Sequence, residues 1–334
     1  MSTENTRRPL NWSLPAAVLA LAAAFLPVAL TYARRFSLQL SSAAAIYGCF
    51  LLLLTYLFAP AIPASRALLK RSLSGRFQGW IVLGMLALPY CVYATGTADF
   101  HWAALGRLVL VISPAIFVYS ACPVRKLATF CWQDTFVAIW LVSIVLFHLF
   151  KGIWNVPANL DFMARLLTID LGALCWTYLR PVPDLGYEVA VTKRSLQAAI
   201  RNFLHFALIA VPLGFVLRFT SWNPRWIGLG HFLSSYLEIL LFIAILEELF
   251  FRGFLQNLLE KSLHSHWLGQ LIASGTFGLF HILHAPFPNW RYVVLASIAG
   301  WFYGAAYRSG GTLLSSVLVH ATVDTVWRTF LTNS

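Results

Sequence analysis

The sequence predicts an all-α, polytopic transmembrane helical bundle with about ten or eleven spans. Of its 334 residues, 59% are hydrophobic and only 11% are charged, whereas soluble globular domains carry about 25% charged residues. Apolar runs such as 14–33 and 41–62 are long enough to cross a bilayer, which takes about 20 residues. Helices are expected because each one satisfies its own backbone hydrogen bonds in lipid.

Apolar windows between charged or Pro/Gly-containing connectors give the order of the spans. They lie near residues 14–33, 41–62, 78–95, 105–121, 134–150, 162–179, 203–219, 231–251, 268–284, 292–307 and 311–331. The most polar connector, residues 180–202, predicts a boundary between two parts of the chain. We therefore expect an N-terminal multi-span region of unknown role at 1–190 and a C-terminal domain at 191–334.

The net charge of +12 is explained by the membrane rather than by nucleic acid. Lys and Arg concentrate in short connectors, at 64–76, 122–126 and 192–201, as in cytoplasmic loops that face anionic lipid. A nucleic-acid-binding protein would place a basic face on a soluble module, and no such module is visible. The five cysteines show no C-x-x-C spacing, so neither a disulfide framework nor a zinc knuckle is expected.

Three clusters of ionisable residues interrupt the predicted spans of the C-terminal part. In chain order they are Glu247 with Glu248 and Arg252, His281 with His284, and His320 with Asp324. A charged side chain at the centre of a bilayer helix costs roughly 2.5–3.5 kcal/mol even on the most lenient scale, and is therefore usually functional. Their occurrence within roughly 80 residues of one another favours a shared site.

Helical spacing separates the two adjacent glutamates. Glu248 and Arg252 are four residues apart, so they share a helix face and can pair. Glu247 is rotated by about 100° from its neighbour and is left to point elsewhere, into a cavity. His320 and Asp324 are also four residues apart, so the carboxylate can orient the imidazole.

A free glutamate and histidines from two other helices are the groups needed to activate water. The carboxylate takes the proton, and the imidazoles hold the water or stabilise the oxyanion. Glu247, His281 and His320 are also a legitimate set of zinc ligands. Because the motifs H-E-x-x-H and H-x-x-E-H are absent, we expect no cofactor, and zinc held by these three residues is the alternative.

Each cluster also has a purely structural interpretation. The pair of Glu248 and Arg252 would then tether one helix end, and each histidine would be a packing residue of an apolar helix. A functional but non-catalytic interpretation is open too, since intramembrane Glu, His and Asp side chains are common in proton relays. The alternative to an enzyme is therefore an immunity factor or a proton-coupled transporter that uses the same cluster.

Three motifs occur in a suggestive order: E-E-x-x-x-R at 247–252, F-x-x-x-H at 277–281 and H-x-x-x-N/D at 320–324. Together they resemble the CAAX-protease and bacteriocin-processing (abortive-infection) family of glutamic-type intramembrane endopeptidases. The resemblance covers about residues 200–331. It implies hydrolysis of a peptide bond near the C-terminal part of a membrane-anchored or lipidated protein.

The resemblance also implies roles for single residues. Glu247 would be the general base that activates water, and His281 and His320 would position that water and stabilise the oxyanion. Glu248 and Arg252 would support the site. The last motif usually ends in asparagine in prenyl-protein proteases. Because an ionised aspartate cannot donate a hydrogen bond to an oxyanion, Asp324 is expected either to pair with His320 or to be protonated.

The N-terminal region adds about six spans that carry no motif. Arg165 and Asp170 share one of them, without the ideal spacing of a helical pair. In architecture this extension resembles the bacterial C-terminal-sorting branch, either myxosortase-like or exosortase-associated, which implies the bacterial inner membrane. The region would be either a docking surface for a substrate's membrane tail or a scaffold.

The predicted span boundaries place two of the motifs at different depths. Glu247 falls near the inner end of its span and His281 near the outer end of the next, on the order of 20 Å apart. Two groups that far apart cannot act on one water molecule. We therefore expect residues 251–267 to re-enter the bilayer in part, or the next span to begin earlier and to tilt.

Overall fold

The computed structural model describes residues 14–73, 75–155, 157 and 160–333. Its helices are α1 (Leu14–Arg35), α2 (Leu40–Phe58), α3 (Pro63–Ser72), α4 (Gln78–Thr97), α5 (Trp102–Ala121), α6 (Trp132–Leu146), α7 (Asp161–Leu174), α8 (Lys193–Val216), α9 (Leu229–Ile239), α10 (Ile245–Glu248), α11 (Asn257–Ser262), α12 (His266–Leu279), α13 (Trp290–Gly310) and α14 (Leu313–Phe330). A short 3₁₀ turn, Ala59–Ala61, follows α2, and π-helical turns occupy Cys175–Leu179, Leu240–Ala244 and Leu249–Gln256. Two three-residue strands, β1 (Thr220–Trp222) and β2 (Leu331–Asn333), pair antiparallel.

The predicted fold class is confirmed, because each of the predicted apolar windows contains a helix. Within the described part of the chain, seven helices are long and apolar enough to cross a membrane. They are Leu14–Arg35, Leu40–Ala61, Gln78–Thr97, Trp102–Ala121, Asp161–Leu179, Lys193–Val216 and Leu229–Ser262. The other predicted spans correspond to helices that are shorter or less apolar. The protein is therefore an integral, multi-pass membrane protein.

The helix that carries Glu247 is longer than its apolar window. Residues Leu229–Ser262 form one helix of 34 residues, because α9, α10 and α11 are joined by π-helical turns. We call it the long helix. It continues beyond the predicted end at residue 251 because polar residues of its last turns are satisfied: Gln256 donates to Glu260 (2.8 Å) and Lys261 pairs with Asp184 (2.9 Å).

This longer helix removes the predicted difference in depth between the motifs. α12 begins at His266, directly after a turn in which Ser265 caps the helix by accepting from the backbone of Leu268. Glu247 lies about 15 residues before this turn and His281 about 15 residues after it, so both are roughly 22 Å from the turn along antiparallel helices. Residues 251–267 are mainly helical, and α12 begins only two residues before the predicted start at 268, so the change comes from the later end of the long helix. Re-entry into the bilayer and tilt of the next span stay predictions.

The N-terminal region packs directly on the C-terminal helices. A continuous cluster of buried apolar side chains runs from α2 through α4, α5 and α7 to the long helix and α14; it includes Leu53, Leu86, Ile112, Leu167, Leu249 and Val317. Trp176, just after α7, stacks on Phe254 of the long helix with ring centroids 4.4 Å apart. α7 is thereby held beside α10, which carries the two glutamates.

The polar connector begins with a buried ion pair. Arg180 donates to both carboxylate oxygens of Asp134, at 2.8 and 3.0 Å, and Tyr119 donates to the same carboxylate at 2.9 Å. Arg180 also donates to the backbone carbonyls of Leu127 and Thr129. Burial of an ion pair is tolerated only when the remaining donors and acceptors are satisfied, as they are here.

Candidate active site

The two glutamates lie on an irregular stretch of the long helix. α10 spans only Ile245–Glu248 and has a π-helical turn on each side. The backbone N–H of Ile245 donates to Leu240, and that of Asn257 donates to Arg252, each five residues back. Such π-turns inside α-helices are often found at functional sites. This feature of the helix was not visible in the sequence.

Glu248 and Arg252 form the pair that their spacing predicted. Both side chains are fully buried, and Arg252 Nε lies 3.2 Å from Glu248 Oε2. The guanidinium also donates to the carbonyl of Gly300 at 3.2 Å and lies 4.8 Å from the ring centroid of Phe277. An aromatic face attracts a cation at this distance. Among the described residues, Glu248 Oε2 and Arg252 Nε and Nη1 have no hydrogen-bond partner, so the pair is held by charge, by the Gly300 carbonyl and by the aromatic ring.

His320 connects this buried pair to the cavity. Its Nδ1–H donates to Glu248 Oε1 at 2.8 Å. Its Nε2 lies 3.4 Å from Asp324 Oδ2 and 3.8 Å from Glu247 Oε2. The ring stacks on Tyr303, with centroids 4.7 Å apart. Glu248 therefore bridges the arginine and the histidine, and the orientation of His320 is set by residues on two other helices.

Glu247 lies in a different environment from its neighbour. Its side chain is 31% exposed, whereas that of Glu248 is 0% exposed, as the predicted rotation between them requires. The side chain of Asp324, on the opposite helix, is 38% exposed. Both carboxylates line one cavity. The free glutamate is thus accessible to a water molecule and to a substrate.

His281 lies in the turn just after α12. Its Nδ1–H donates to the backbone carbonyl of Phe277 at 2.8 Å, which leaves Nε2 available to accept a hydrogen bond. The Phe277 ring contacts both site histidines, with centroids 4.9 Å from His281 and 5.8 Å from His320. The phenylalanine of the motif F-x-x-x-H therefore packs between the two imidazoles.

Two tyrosines of α13 belong to the site and were missed by the sequence reasoning. Tyr292 packs against His281 and His284, with ring centroids 4.6 and 5.0 Å apart, and Tyr303 stacks on His320. His284 also stacks on His281 and lines the cavity. The two tyrosines are eleven residues apart, which places them on one helix face; this spacing was the available signal.

The cavity beside Glu247 has a volume of about 890 Å³. One wall comes from the C-terminal helices and includes Glu247, His281, His320 and Asp324. The facing wall comes from the N-terminal region, from α6, α7 and the loop between them. Ligand-binding pockets usually enclose roughly 300–1,000 Å³, so the space suits a short peptide segment.

One known family matches the part of the chain that carries the three motifs. Residues 229–326 match the family model described as type II CAAX prenyl endopeptidase Rce1-like. The resemblance to the CAAX-protease family is therefore confirmed for these residues. The matched range starts at the first residue of the long helix and includes all three motifs. No curated protein and no solved structure matches the chain.

The family match supports a CAAX-type protease in general terms. It does not extend to the N-terminal region, so the resemblance of that region to the sorting branch stays a prediction. Among the residues that the structure describes, no group of three or more His, Cys, Asp or Glu side chains is arranged to hold a metal ion. Glu247, His281 and His320 thus share a cavity without forming such a group.

Proposed function

We propose that the protein is an intramembrane endopeptidase in which Glu247 activates a water molecule. Its substrate is a membrane-anchored or lipidated protein, which it cleaves near the C-terminal part in the bacterial inner membrane. The observation that carries the proposal is the contrast between the adjacent glutamates. Glu248 is held by Arg252 and His320, whereas Glu247 faces a cavity that it shares with His281 and His320.

The geometry supports a direct attack by water. The oxygen of the water attacks the peptide carbonyl carbon while Glu247 takes a proton from that water. Glu247 then passes the proton to the leaving amine. His281 presents Nε2 to the cavity because its Nδ1 is occupied by the carbonyl of Phe277. This nitrogen accepts a hydrogen bond from the attacking water and holds it in place.

His320 is positioned to stabilise the oxyanion. Its Nδ1–H is fixed by Glu248, so Nε2 points toward Glu247 and Asp324. A protonated imidazole donates from both nitrogens, and Nε2 of His320 lies 3.4 Å from Asp324 and 3.8 Å from Glu247. During the reaction the protonated Nε2 donates a hydrogen bond to the developing oxyanion.

The proposed function is tested with purified protein in liposomes and synthetic membrane-tail peptides, and cleavage is followed by mass spectrometry. We expect Glu247→Gln, Glu247→Ala and His281→Ala to lose cleavage, because removal of general-base catalysis typically costs about 10²–10⁴-fold in rate. Glu238→Gln is the matched control. It lies on the same helix, and its pair with Arg328 is exposed, so the control should keep full activity.

A chelator separates the metal-free mechanism from the zinc alternative. Cleavage that survives chelation supports Glu247 as the base, whereas loss under chelation with rescue by zinc would assign Glu247, His281 and His320 as ligands. A second test uses a strain from which the gene has been deleted. If the Glu247→Ala protein restored the phenotype as well as the parent protein does, the proposed enzymatic function would be refuted. That result would favour the immunity-factor or transporter alternative.

A further inference from the structure

The wall of the cavity that faces the catalytic residues carries two cations. Lys151, in the turn after α6, and Arg165, on α7, both line the cavity. Arg165 lies in a candidate membrane span, Asp161–Leu179. Ionisable residues in such segments are rare, and they face a cavity or a partner when they occur. Both cations belong to the N-terminal region, outside the residues that match the family.

The backbone beneath these cations is well anchored. The turn that carries Lys151 is held by Arg107, whose Nε donates to the carbonyl of Leu149 at 3.0 Å. Phe150 and Ile153, on either side of Lys151, are buried. On α7, the residues that follow Arg165 are fully buried. The cations are therefore presented from fixed positions.

Neither of these two cations forms an ion pair with the other charged side chains of the cavity. The other charged side chains that line it are Asp161, Glu247, Asp324 and Arg328. Glu247 and Asp324 face His320, and Arg328 pairs with Glu238. Asp161 lies one turn before Arg165. Within 4.0 Å, none of the ion pairs among the described residues involves Lys151 or Arg165.

We propose that Lys151 and Arg165 bind the free C-terminal carboxylate of the substrate. The inference rests on the proposed function and adds a specificity site to it. A guanidinium binds a carboxylate through two parallel hydrogen bonds, and a lysine adds a point charge. Because the cavity has room for only a short segment, the bound carboxylate fixes how many residues lie between the end of the chain and the water at Glu247.

The placement of α7 puts this carboxylate subsite in the same cavity as the glutamate. α7 packs directly against α10. Thr168, one turn after Arg165 on α7, lines the same cavity. The carboxylate and the scissile peptide bond would therefore occupy the same cavity, on opposite walls.

Binding is tested separately from cleavage, in the Glu247→Gln protein. The probe is a dansyl-labelled peptide of apolar residues with a free C-terminal carboxylate, compared with the same peptide as its C-terminal amide, in phosphatidylcholine liposomes. We expect the carboxylate form to bind about tenfold or more tightly. The added change Lys151→Gln with Arg165→Gln should abolish this preference. Arg165→Lys should retain part of it, because the charge remains.

Arg201→Gln is the matched control, since Arg201 is an exposed cation of α8 outside the cavity. Equal binding of acid and amide, or a preference that survives the double change, would overturn the proposal. If an amidated peptide with an internal glutamate bound as tightly as the peptide with a free C-terminus, the two cations would bind a glutamate side chain of the substrate instead. Loss of the preference on adding phosphatidylglycerol would assign it to lipid head groups. Absence of cleavage by the parent would refute the proposed function and leave this binding result intact.

Discussion

Replacing Glu247 and Glu248 separately by glutamine should give opposite results. Glu248 has 0% side-chain exposure and contacts Arg252 at 3.2 Å and His320 at 2.8 Å. Its loss leaves a buried guanidinium without its counter-charge. Removing one partner of a buried ion pair costs about 3–5 kcal/mol. Glu247 faces the cavity instead, so its replacement leaves the buried network in place and removes only the general base.

We therefore expect Glu248→Gln to lower the free energy of unfolding by about 3–5 kcal/mol, and Glu247→Gln to leave it within about 0.5 kcal/mol of the parent. Cleavage should be lost in Glu247→Gln. Both quantities are measured on the same preparations, unfolding by titration with SDS in mixed micelles and cleavage in liposomes. In the double variant Glu248→Gln with Arg252→Met, stability should partly return, because no uncompensated charge remains.

Two results would refute this reasoning. If Glu247→Gln unfolded as easily as Glu248→Gln, the two side chains would not occupy different environments. If Glu248→Gln were as stable as the parent, the contacts among Glu248, Arg252 and His320 would not hold the helices together. Either result would contradict the geometry from which the catalytic assignment is drawn.

Three further predictions concern other parts of the molecule. Arg180→Met should lower the free energy of unfolding by about 3–5 kcal/mol by leaving Asp134 buried and unpaired, and Arg180→Met with Asp134→Leu should recover much of it; SDS titration measures both. Gly278→Val should reduce stability and cleavage together, because a Cβ there would lie 2.6 Å from the carbonyl oxygen of Val293 and push α12 from α13; unchanged cleavage would contradict this. His281→Ala should slow cleavage by about 10²-fold or more without loss of stability, and parallel loss of both would indicate a packing role.

Local patterns in the sequence were sufficient for the fold class and for the order of the motifs. Apolar length predicts helices in lipid because no other element satisfies its backbone there. The spacing of Glu248 and Arg252 predicts their ion pair, and that of His320 and Asp324 predicts their contact, since residues four apart share a helix face. Each of these features depends on residues within one helix, so the sequence specifies it directly.

The long helix extends further than its apolar window, because part of what stabilises its end lies elsewhere in the chain. The search for apolar windows stops where polar residues begin, at about residue 251. The helix continues to Ser262 because Glu260 and Lys261 have partners, one of them Asp184, far away in the chain. A helix can continue through polar residues that have tertiary partners. Hydropathy along the sequence does not predict such partners.

Spacing and hydropathy along the chain were therefore enough to predict an all-α membrane protein, the three polar motifs and the separation of Glu247 from Arg252. The packing of the helices was needed to show that Glu248 also contacts His320, 72 residues away, and that Tyr303 of α13 stacks on that histidine. It was also needed to show that Lys151 and Arg165 of the N-terminal region line the cavity. These contacts join different helices, and their geometry depends on how the helices pack, which no spacing along one helix specifies.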